Sequence, residues 1–231
     1  LFFVGKATTK KLLDLGIRSI GDLAHSDPAL LKAHLKKHGE VIWAFSIGLD
    51  VSVVQSKPPE NKGYGNSCTI PFDVTDSSTA KLVLLALAET VGSRLRTAKV
   101  KAEVIAVGIK TYDLRYASHQ MILSSATNIT SEIHNYACRL FDELWDGTEI
   151  RHLGIHTSRI RDGFNMRQLN MFETIDYEKL EKMDATVDRI RARYGIDSIM
   201  RASFLGSSID HMSGGISREK RSVNYEKIIV K

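Results

Sequence analysis

Two β-type runs make up the stretch KAEVIAVGIKTYDLRYASHQMILSSAT, residues 101–127. In the first run, residues 102–112, Ile105, Val107 and Ile109 alternate with smaller or polar residues, which is typical of a strand with one buried face. Residues 113–115 form a turn, and residues 116–125 form the second run. The stretch therefore predicts two neighbouring strands that share one core-facing side.

The segments around this stretch extend the pattern. Strand-like runs occur at residues 65–72 and 150–160, and helix-like runs with apolar stripes occur at residues 77–96 and 130–145. The order β-α-β-β-α-β is that of the split βαβ arrangement in ferredoxin-like folds. We therefore predict an α+β domain with both helices on one face of the sheet and the other face open.

The side chains expected on the open face are small, polar or cationic. They alternate with the core positions of two strands, and they are Ala106, Gly108, Lys110, Tyr112, His152, Gly154, His156 and Ser158. Small residues allow close approach of a ligand, and lysine or histidine supplies positive charge. The pattern fits a surface for a phosphate backbone, and it also fits an ordinary solvated sheet face.

Short helices are predicted before residue 50. We expect one helix over residues 8–16, one beginning near Gly21, one over residues 28–39 that ends at Gly39, and a further one from residue 41. In FVGKATTKKLLDLGIRSIGDLA, residues 3–24, Gly5 is expected to be a turn between two short helical elements. Unpaired amides at the start of a helix bind anions, and Lys6 and Lys10 add charge there. The alternative is a helical turn with solvated lysines.

Composition sets the broad class. The chain has 231 residues, 43% of them hydrophobic, two cysteines and a net charge of +5 with a pI near 9.1. No apolar run approaches the length of about 20 residues that a membrane helix needs. We expect a cytosolic protein without a disulfide framework that has no membrane partner and can bind nucleic acid. Because Leu1 is not methionine, we also expect a piece of a longer protein.

The organisation follows from the proline-rich stretch SKPPENKGYGN, residues 56–66. We predict a helical domain at residues 1–55, a linker at 56–63, a sheet domain at 64–165 and a C-terminal extension at 166–231. The extension contains a helix-like run with an apolar stripe formed by Leu180, Met183, Val187, Ile190 and Tyr194. We expect this stripe to pack on the sheet domain, with a partner surface as the alternative.

The segment VGKATTKKLLDLGIRSIGDLA, residues 4–24, resembles the helix-hairpin-helix in the thumb of Y-family DNA polymerases, the DinB/UmuC translesion enzymes. That family usually has glycine two positions before Gly5, where this chain has Phe3. GYGNSCTIPFDV, residues 63–74, and IRHLGIHTSRI, residues 150–160, are similar to the opening and closing strands of the little-finger domain of that family. Residues 177–203 are similar to a C-terminal extension of a Gram-positive branch.

The resemblance implies binding of a primer–template duplex, mainly through phosphates. It implies DNA contacts from Val4, Gly5, Lys6, Ala7, Lys10, Asn66, Ser67, Lys110, Tyr112, Arg115, His156 and Ser158. Many family members bind the sliding clamp through a peptide of the form Gln-Leu-polar-Leu-Phe. QLNMF, residues 168–172, matches it through Gln168, Leu169, Met171 and Phe172. The alternative is that these side chains pack on the domain's own core.

The resemblance implies no catalytic and no metal-binding residue in this chain. The catalytic carboxylates of the family lie in a palm domain before the thumb and bind two metal ions, so Mg²⁺ is expected for the full-length parent and no cofactor for this part. We expect an inactive, monomeric fragment of a DNA-repair enzyme of the SOS response that works in the bacterial cytoplasm at replication forks. The alternative is a helix-hairpin-helix repair module unrelated to polymerases, either a binding protein or a glycosylase.

Overall fold

The computed structural model describes residues 1–50, 60–163 and 175–212. The chain divides into two compact units, residues 1–59 and residues 60–231. Among the described residues, no helix has both the length and the apolar character needed to cross a bilayer.

The first unit is helical. Its four helices are α1 Lys6–Asp14, α2 Ile20–His25, α3 Pro28–Leu35 and α4 Lys37–Ser46. They enclose a small core of Leu12, Ile17, Leu23, Leu31, Leu35 and Ile42. The start of α2 is fixed by a capping box, in which Ser19 and Asp22 accept each other's backbone N–H groups.

Two helix boundaries in this unit differ from the sequence-based expectation. The helix that begins at Pro28 ends at Leu35, because Lys36 adopts the left-handed region with φ of 57°. Gly39 lies inside α4, where a β-carbon would come within 2.3 Å of the Leu31 carbonyl oxygen. The prediction that Gly39 ends the helix is therefore wrong, because this glycine allows α4 to pack closely on α3. The segment before Gly5 contains a turn at residues 2–3 in place of the expected helical element.

The second unit contains the sheet. Its elements are β1 Gly65–Val74, α5 Ser77–Thr97, β2 Val100–Thr111, β3 Tyr116–Thr127, α6 Thr130–Leu144, β4 Ile150–Asp162 and α7 Tyr177–Tyr194. Two short 3-10 turns follow, Ile196–Ser198 and Ala202–Phe204. The predicted α+β class is confirmed, and the sheet elements follow one another along the chain as β-α-β-β-α-β.

The strand order departs from a ferredoxin-like sheet. The four strands lie in the order β1-β4-β2-β3, and each neighbouring pair is antiparallel. A ferredoxin-like sheet has its first and third strands in the centre, whereas the fourth and second are central here. Both βαβ units remain split, since β4 separates β1 from β2 and β2 separates β3 from β4. Alternation in the sequence indicates which face of a strand is buried, but it does not specify the neighbour.

Helices α5 and α6 cover one face of the sheet. The predicted inward residues of the central strands, Ile105, Val107, Ile109, Leu153 and Ile155, are all buried in this core. Every residue from Ala86 to Gly92 of α5 is also buried. A continuous buried run cannot come from one face of a helix, so α5 is covered on its outer side as well.

The outer cover of α5 is the C-terminal extension. Three residues of α7 are buried, and they are Tyr177, Asp184 and Arg191, spaced at seven-residue intervals along one face. Two members of the predicted apolar stripe are largely exposed, Met183 at 42% and Tyr194 at 66%. The extension does pack on the sheet domain, but through a mixed face. Asp184 and Arg191 are buried there, whereas Leu180, Val187 and Ile190 of the predicted stripe are half-buried, so the predicted apolar stripe is only partly correct.

The two helical glycines of the first unit provide a matched test. Gly39→Ala is expected to lower the unfolding free energy of this unit by about 1–3 kcal/mol, because the new methyl group meets the Leu31 backbone. Gly21→Ala, whose β-carbon would lie 3.6 Å from the Ser19 hydroxyl, is expected to raise it by up to about 1 kcal/mol. Scanning calorimetry of both variants checks the signs, and equal stability of Gly39→Ala and the parent contradicts this account.

Candidate nucleic-acid interface

The open face of the sheet is built from three rows that cross β1, β4 and β2. Backbone pairing defines these rows as Gly65–His156–Ala106, Ser67–Gly154–Gly108 and Thr69–His152–Lys110. Residues paired directly across antiparallel strands project from the same side, so each row is a line of neighbouring side chains. The face is therefore small and polar in its middle, and its cationic residues lie in the two outer rows.

Glycine occurs on this face at positions where larger side chains lie across the backbone. A β-carbon on Gly108 would come within 2.5 Å of the Tyr116 hydroxyl oxygen, and one on Gly65 within 2.4 Å of the His156 ring nitrogen Nδ1. The rings of Tyr116 and His156 thus lie over backbone that has no side chain of its own. These glycines therefore make room for the two rings on the open face.

Three cationic or titratable side chains share this face, namely Lys110, His152 and His156. Burial lowers the pKa of His152, and the positive charge of Lys110 and the nearby His156 ring lower it further. A ring nitrogen of His152 lies 3.1 Å from the Thr69 hydroxyl oxygen, which fixes the ring on the surface. A bound phosphate would offset the repulsion among these groups and favour the protonated ring.

The start of α1 presents a different kind of anion site. Gly5 is the N-cap with extended backbone, no side chain caps the helix, and no acidic residue occurs in the first turn. The first amides of α1 consequently point away from the helix beside Lys6 and Lys10, both of which are exposed. Nothing lies within 4 Å of where a Gly5 β-carbon would be, so the approach to these amides is open.

Phe3 holds the turn before this helix in an unusual conformation. Its φ is 63°, in the left-handed region that glycine adopts most easily. The Phe3 ring stacks on Phe45 with a centroid separation of 5.9 Å. The chain therefore keeps a glycine-like turn with a phenylalanine at this position, and the stacking partly offsets a backbone cost of about 1–2 kcal/mol.

Comparison with known proteins agrees with this geometry. Residues 61–171, which contain the whole sheet, match the impB/mucB/samB family C-terminal domain. The sheet domain is therefore similar to the C-terminal domain of this family. The resemblance to Y-family, DinB-type DNA polymerases drawn from the sequence is thereby confirmed.

Relatives extend the match to most of the chain. It is 38% identical over 205 residues to DNA polymerase IV of Clostridium acetobutylicum, and the alignment covers 89% of this chain and 52% of that protein. It is 34% identical over 209 residues to DNA polymerase IV of Acetivibrio thermocellus, with 89% and 52% covered. It is 33% identical over 213 residues to DNA polymerase IV 2 of Halalkalibacterium halodurans, with 90% and 51% covered. The chain spans about half the length of these relatives.

Most of the residues proposed for DNA contact are on the surface, but two need revision. Asn66 is only 6% exposed and pairs with Ile155, so it faces the helices and cannot be part of the open face. Arg115 is exposed, yet its guanidinium donates a 2.6 Å hydrogen bond to Asp113, which neutralises its charge within the β2–β3 turn. Tyr112 is exposed beside this turn.

The remaining sheet candidates keep their places, and further residues join them. Ser67, Lys110 and His156 lie in the three rows, and Ser158 is exposed further along β4. The sequence-based set omitted Thr69, Tyr116 and Ser118, which share rows with predicted members. The alternation of β3 could have identified Tyr116 and Ser118, whereas Thr69 required the register between β1 and β4.

In the first unit, Val4 is half-buried against the core, whereas Gly5, Lys6, Ala7 and Lys10 are exposed. The clamp-binding candidates Gln168, Leu169, Met171 and Phe172 lie outside the described residues. Across residues 1–50, 60–163 and 175–212, no three His, Cys, Asp or Glu side chains are grouped to hold a metal ion.

The His152 ring on the open face predicts a pH dependence. His152 has a lowered pKa in the free protein, so it is mostly neutral near neutral pH, and a phosphate raises that pKa on binding. Binding therefore takes up protons, and affinity for a DNA duplex should tighten from about pH 7.5 to about pH 6. His152→Asn should flatten this dependence in anisotropy titrations.

A matched control for this experiment is His119→Asn. His119 lies on the same sheet, but its ring is 3.4 Å from Glu143 of α6 on the covered side. This variant should keep the pH dependence of the parent. Affinity that stays constant over this pH range in the parent, or an unchanged slope in His152→Asn, would show that the ring does not meet phosphate.

Proposed function

We propose that this chain is the DNA-binding part of a translesion DNA polymerase. In this proposal the first unit is the thumb, a helix-hairpin-helix domain, the sheet domain is the little finger, and each grips phosphates of the primer–template duplex. The observation that carries the proposal is the glycine-lined open face with Lys110, His152 and His156 in its outer rows. The relatives that bear the name DNA polymerase IV support it.

The composition of the face suits contact with a phosphate backbone. Phosphate contacts position a protein on DNA without reading its sequence, whereas base reading needs long donors and acceptors in a groove. The central row offers Ser67, Gly154 and Gly108, which cannot reach a base edge. A face of this kind accepts any sequence, which suits an enzyme that must copy damaged templates.

The start of α1 supplies the second grip. Free amides and Lys6 bind a phosphate by geometry and charge, again without regard to base identity. The net charge of +5 is modest for a nucleic-acid-binding chain of 231 residues. Affinity therefore depends on where these few charges lie and should fall steeply with salt as counterions are released.

Removing one charge from the open face tests this function. Lys110→Ala is expected to weaken duplex binding and to reduce the slope of log affinity against log salt by about one unit, because one phosphate contact is lost. Arg139→Ala is the matched control, since Arg139 is exposed on α6, on the covered side of the sheet. Fluorescence anisotropy over a salt series gives both slopes.

The control should leave the slope unchanged. Equal effects of Lys110→Ala and Arg139→Ala would mean that the duplex binds by overall charge and not on the open face. A strong preference for one DNA sequence would likewise contradict a face that reads only phosphate.

We also propose that QLNMF, residues 168–172, tethers the polymerase to the sliding clamp. Leu169, Met171 and Phe172 would be the apolar anchors, and Gln168 would hydrogen-bond at the edge of the clamp cleft. Methionine replaces leucine with a similar volume and a flexible thioether, so the anchor is kept. The motif match alone supports this part of the proposal.

Truncating two anchors tests the tether. Met171→Ala combined with Phe172→Ala is expected to abolish clamp binding, because each anchor of this kind contributes about 2 kcal/mol or more. Calorimetric titration with the cognate clamp measures the loss, while duplex affinity and the melting temperature should stay at the parental values. A double variant that still binds the clamp, or that unfolds, shows that these side chains belong to the protein's own core.

In the parent enzyme, catalysis would come from palm carboxylates with Mg²⁺, and this chain would contribute binding without a catalytic residue. The parent would act in SOS-type damage tolerance in the bacterial cytoplasm. A glycosylase with a helix-hairpin-helix fits less well, because the second unit is built around a four-stranded sheet and not an all-helical domain.

A further inference from the structure

The outer side of α5 contains a buried carboxylate. The Glu89 side chain is 3% exposed, and both of its oxygens accept hydrogen bonds from the C-terminal extension. Arg191 of α7 donates to one oxygen at 2.6 Å, and Arg201 donates to the other. These guanidinium groups lower the pKa of Glu89 even though burial alone would raise it, so the carboxylate is held in its charged form.

A second buried carboxylate binds the extension to α6. Asp184 of α7 accepts the backbone N–H of Thr130 at 2.7 Å, in the first turn of α6. Ile129, the N-cap residue of α6, has no side chain that can do this. Asp184 therefore caps α6 from another helix, and it also accepts a 3.0 Å hydrogen bond from Arg96 of α5.

Arg96 joins these contacts into one network. Its Nε atom donates to Asp188 of α7 at 2.6 Å, and its NH1 atom donates to the Asn128 carbonyl oxygen at 2.8 Å. Nearer the start of α7, Glu181 accepts a 2.8 Å hydrogen bond from Lys101 of β2. The polar contacts of α7 with α5, α6 and β2 thus all involve a charged side chain of α7, and apolar residues of the extension enter the main core later, at Phe204 and Ile209.

We propose that residues 177–209 form a strap across α5 that is locked by charge and opens as a unit while the sheet stays folded. A buried ion pair contributes little net stability, because desolvation of both groups offsets their attraction, but removal of one partner is strongly destabilising. A helix held in this way has a lower opening free energy than a sheet that is buried by apolar packing. The opened state leaves Glu89 without its guanidinium partners and α6 without its cap.

Hydrogen–deuterium exchange on the whole chain tests the strap. In Glu89→Gln, which loses the charge that holds Arg191 and Arg201, the amides of α7 should exchange about tenfold faster or more. Amides of β2 and β4 should exchange at the parental rate. Met183→Ala is the matched control, because Met183 is on the same helix but 42% exposed, and it should leave both sets of rates unchanged.

A double variant separates charge from packing. Glu89→Met with Arg191→Met replaces a buried pair by apolar side chains of similar length, and it should restore part of the α7 protection that Arg191→Met alone removes. Lys101→Met is a milder variant, because it removes only the contact with Glu181, and it should speed exchange in α7 to a smaller extent.

Three results would overturn the proposal. Unchanged exchange in α7 of Glu89→Gln means that charge does not hold the helix. Equal acceleration in α7, β2 and β4, or loss of the folded state in that variant, means that the extension and the sheet open only together. Faster exchange in the sheet of Lys101→Met leads to the same conclusion.

Discussion

The charge of Glu89 is the constraint on which the packing of the C-terminal extension depends. A carboxylate buried in the middle of α5 needs positive partners, and the chain supplies them from residues that follow the sheet by a long sequence distance, Arg191 and Arg201. Because Arg191 and Arg201 bind Glu89, the extension lies on α5, and α5 is enclosed between the sheet and the extension. With both helices held on one side of the sheet, the other side remains free for a ligand.

The two candidate phosphate sites would bind phosphate through different chemical groups. The open face uses a few cationic side chains on a surface where glycines make room for the rings of Tyr116 and His156, whereas α1 uses unpaired amides at its start. Neither site has carboxylates beside its cations in the contacts described, and the ion pairs of the sheet domain occur mainly on its covered side or at its turns. The placement of charge, and not its total amount, distinguishes the open face from the rest of the surface.

The sequence correctly predicted those features of the fold that depend on a single periodic pattern of apolar residues. Alternation correctly identified the inward residues of β2 and β4, and helical spacing identified α5 and α6. Strand order could not be derived, because alternation is the same for every neighbour. Asn66 was proposed by resemblance alone, and only its pairing with Ile155 shows that it faces the helices.

The polar packing of α7 was missed for a different reason. Asp184 and Arg191 look like solvated surface residues in a sequence, and only the opposing charges on α5 and α6 reveal them as interior groups. The break at Lys36 has no local signal either, since lysine rarely adopts a positive φ and the glycine nearby suggests another end. Contacts between distant segments decide the packing of α7, whereas the break at Lys36 accompanies the close packing of α4 on α3 at Gly39.

The C-terminal extension lies beyond the family match, yet it supplies contacts to the sheet domain. The family match ends at residue 171, whereas the groups that neutralise Glu89 and cap α6 lie between residues 184 and 201. A polypeptide trimmed to the family boundary would retain every strand and both covering helices, but Glu89 would lose both guanidinium partners and α6 would lose the cap that Asp184 supplies. The segment that matches the family domain and the segment that contains the partners of Glu89 are therefore different lengths of the same chain.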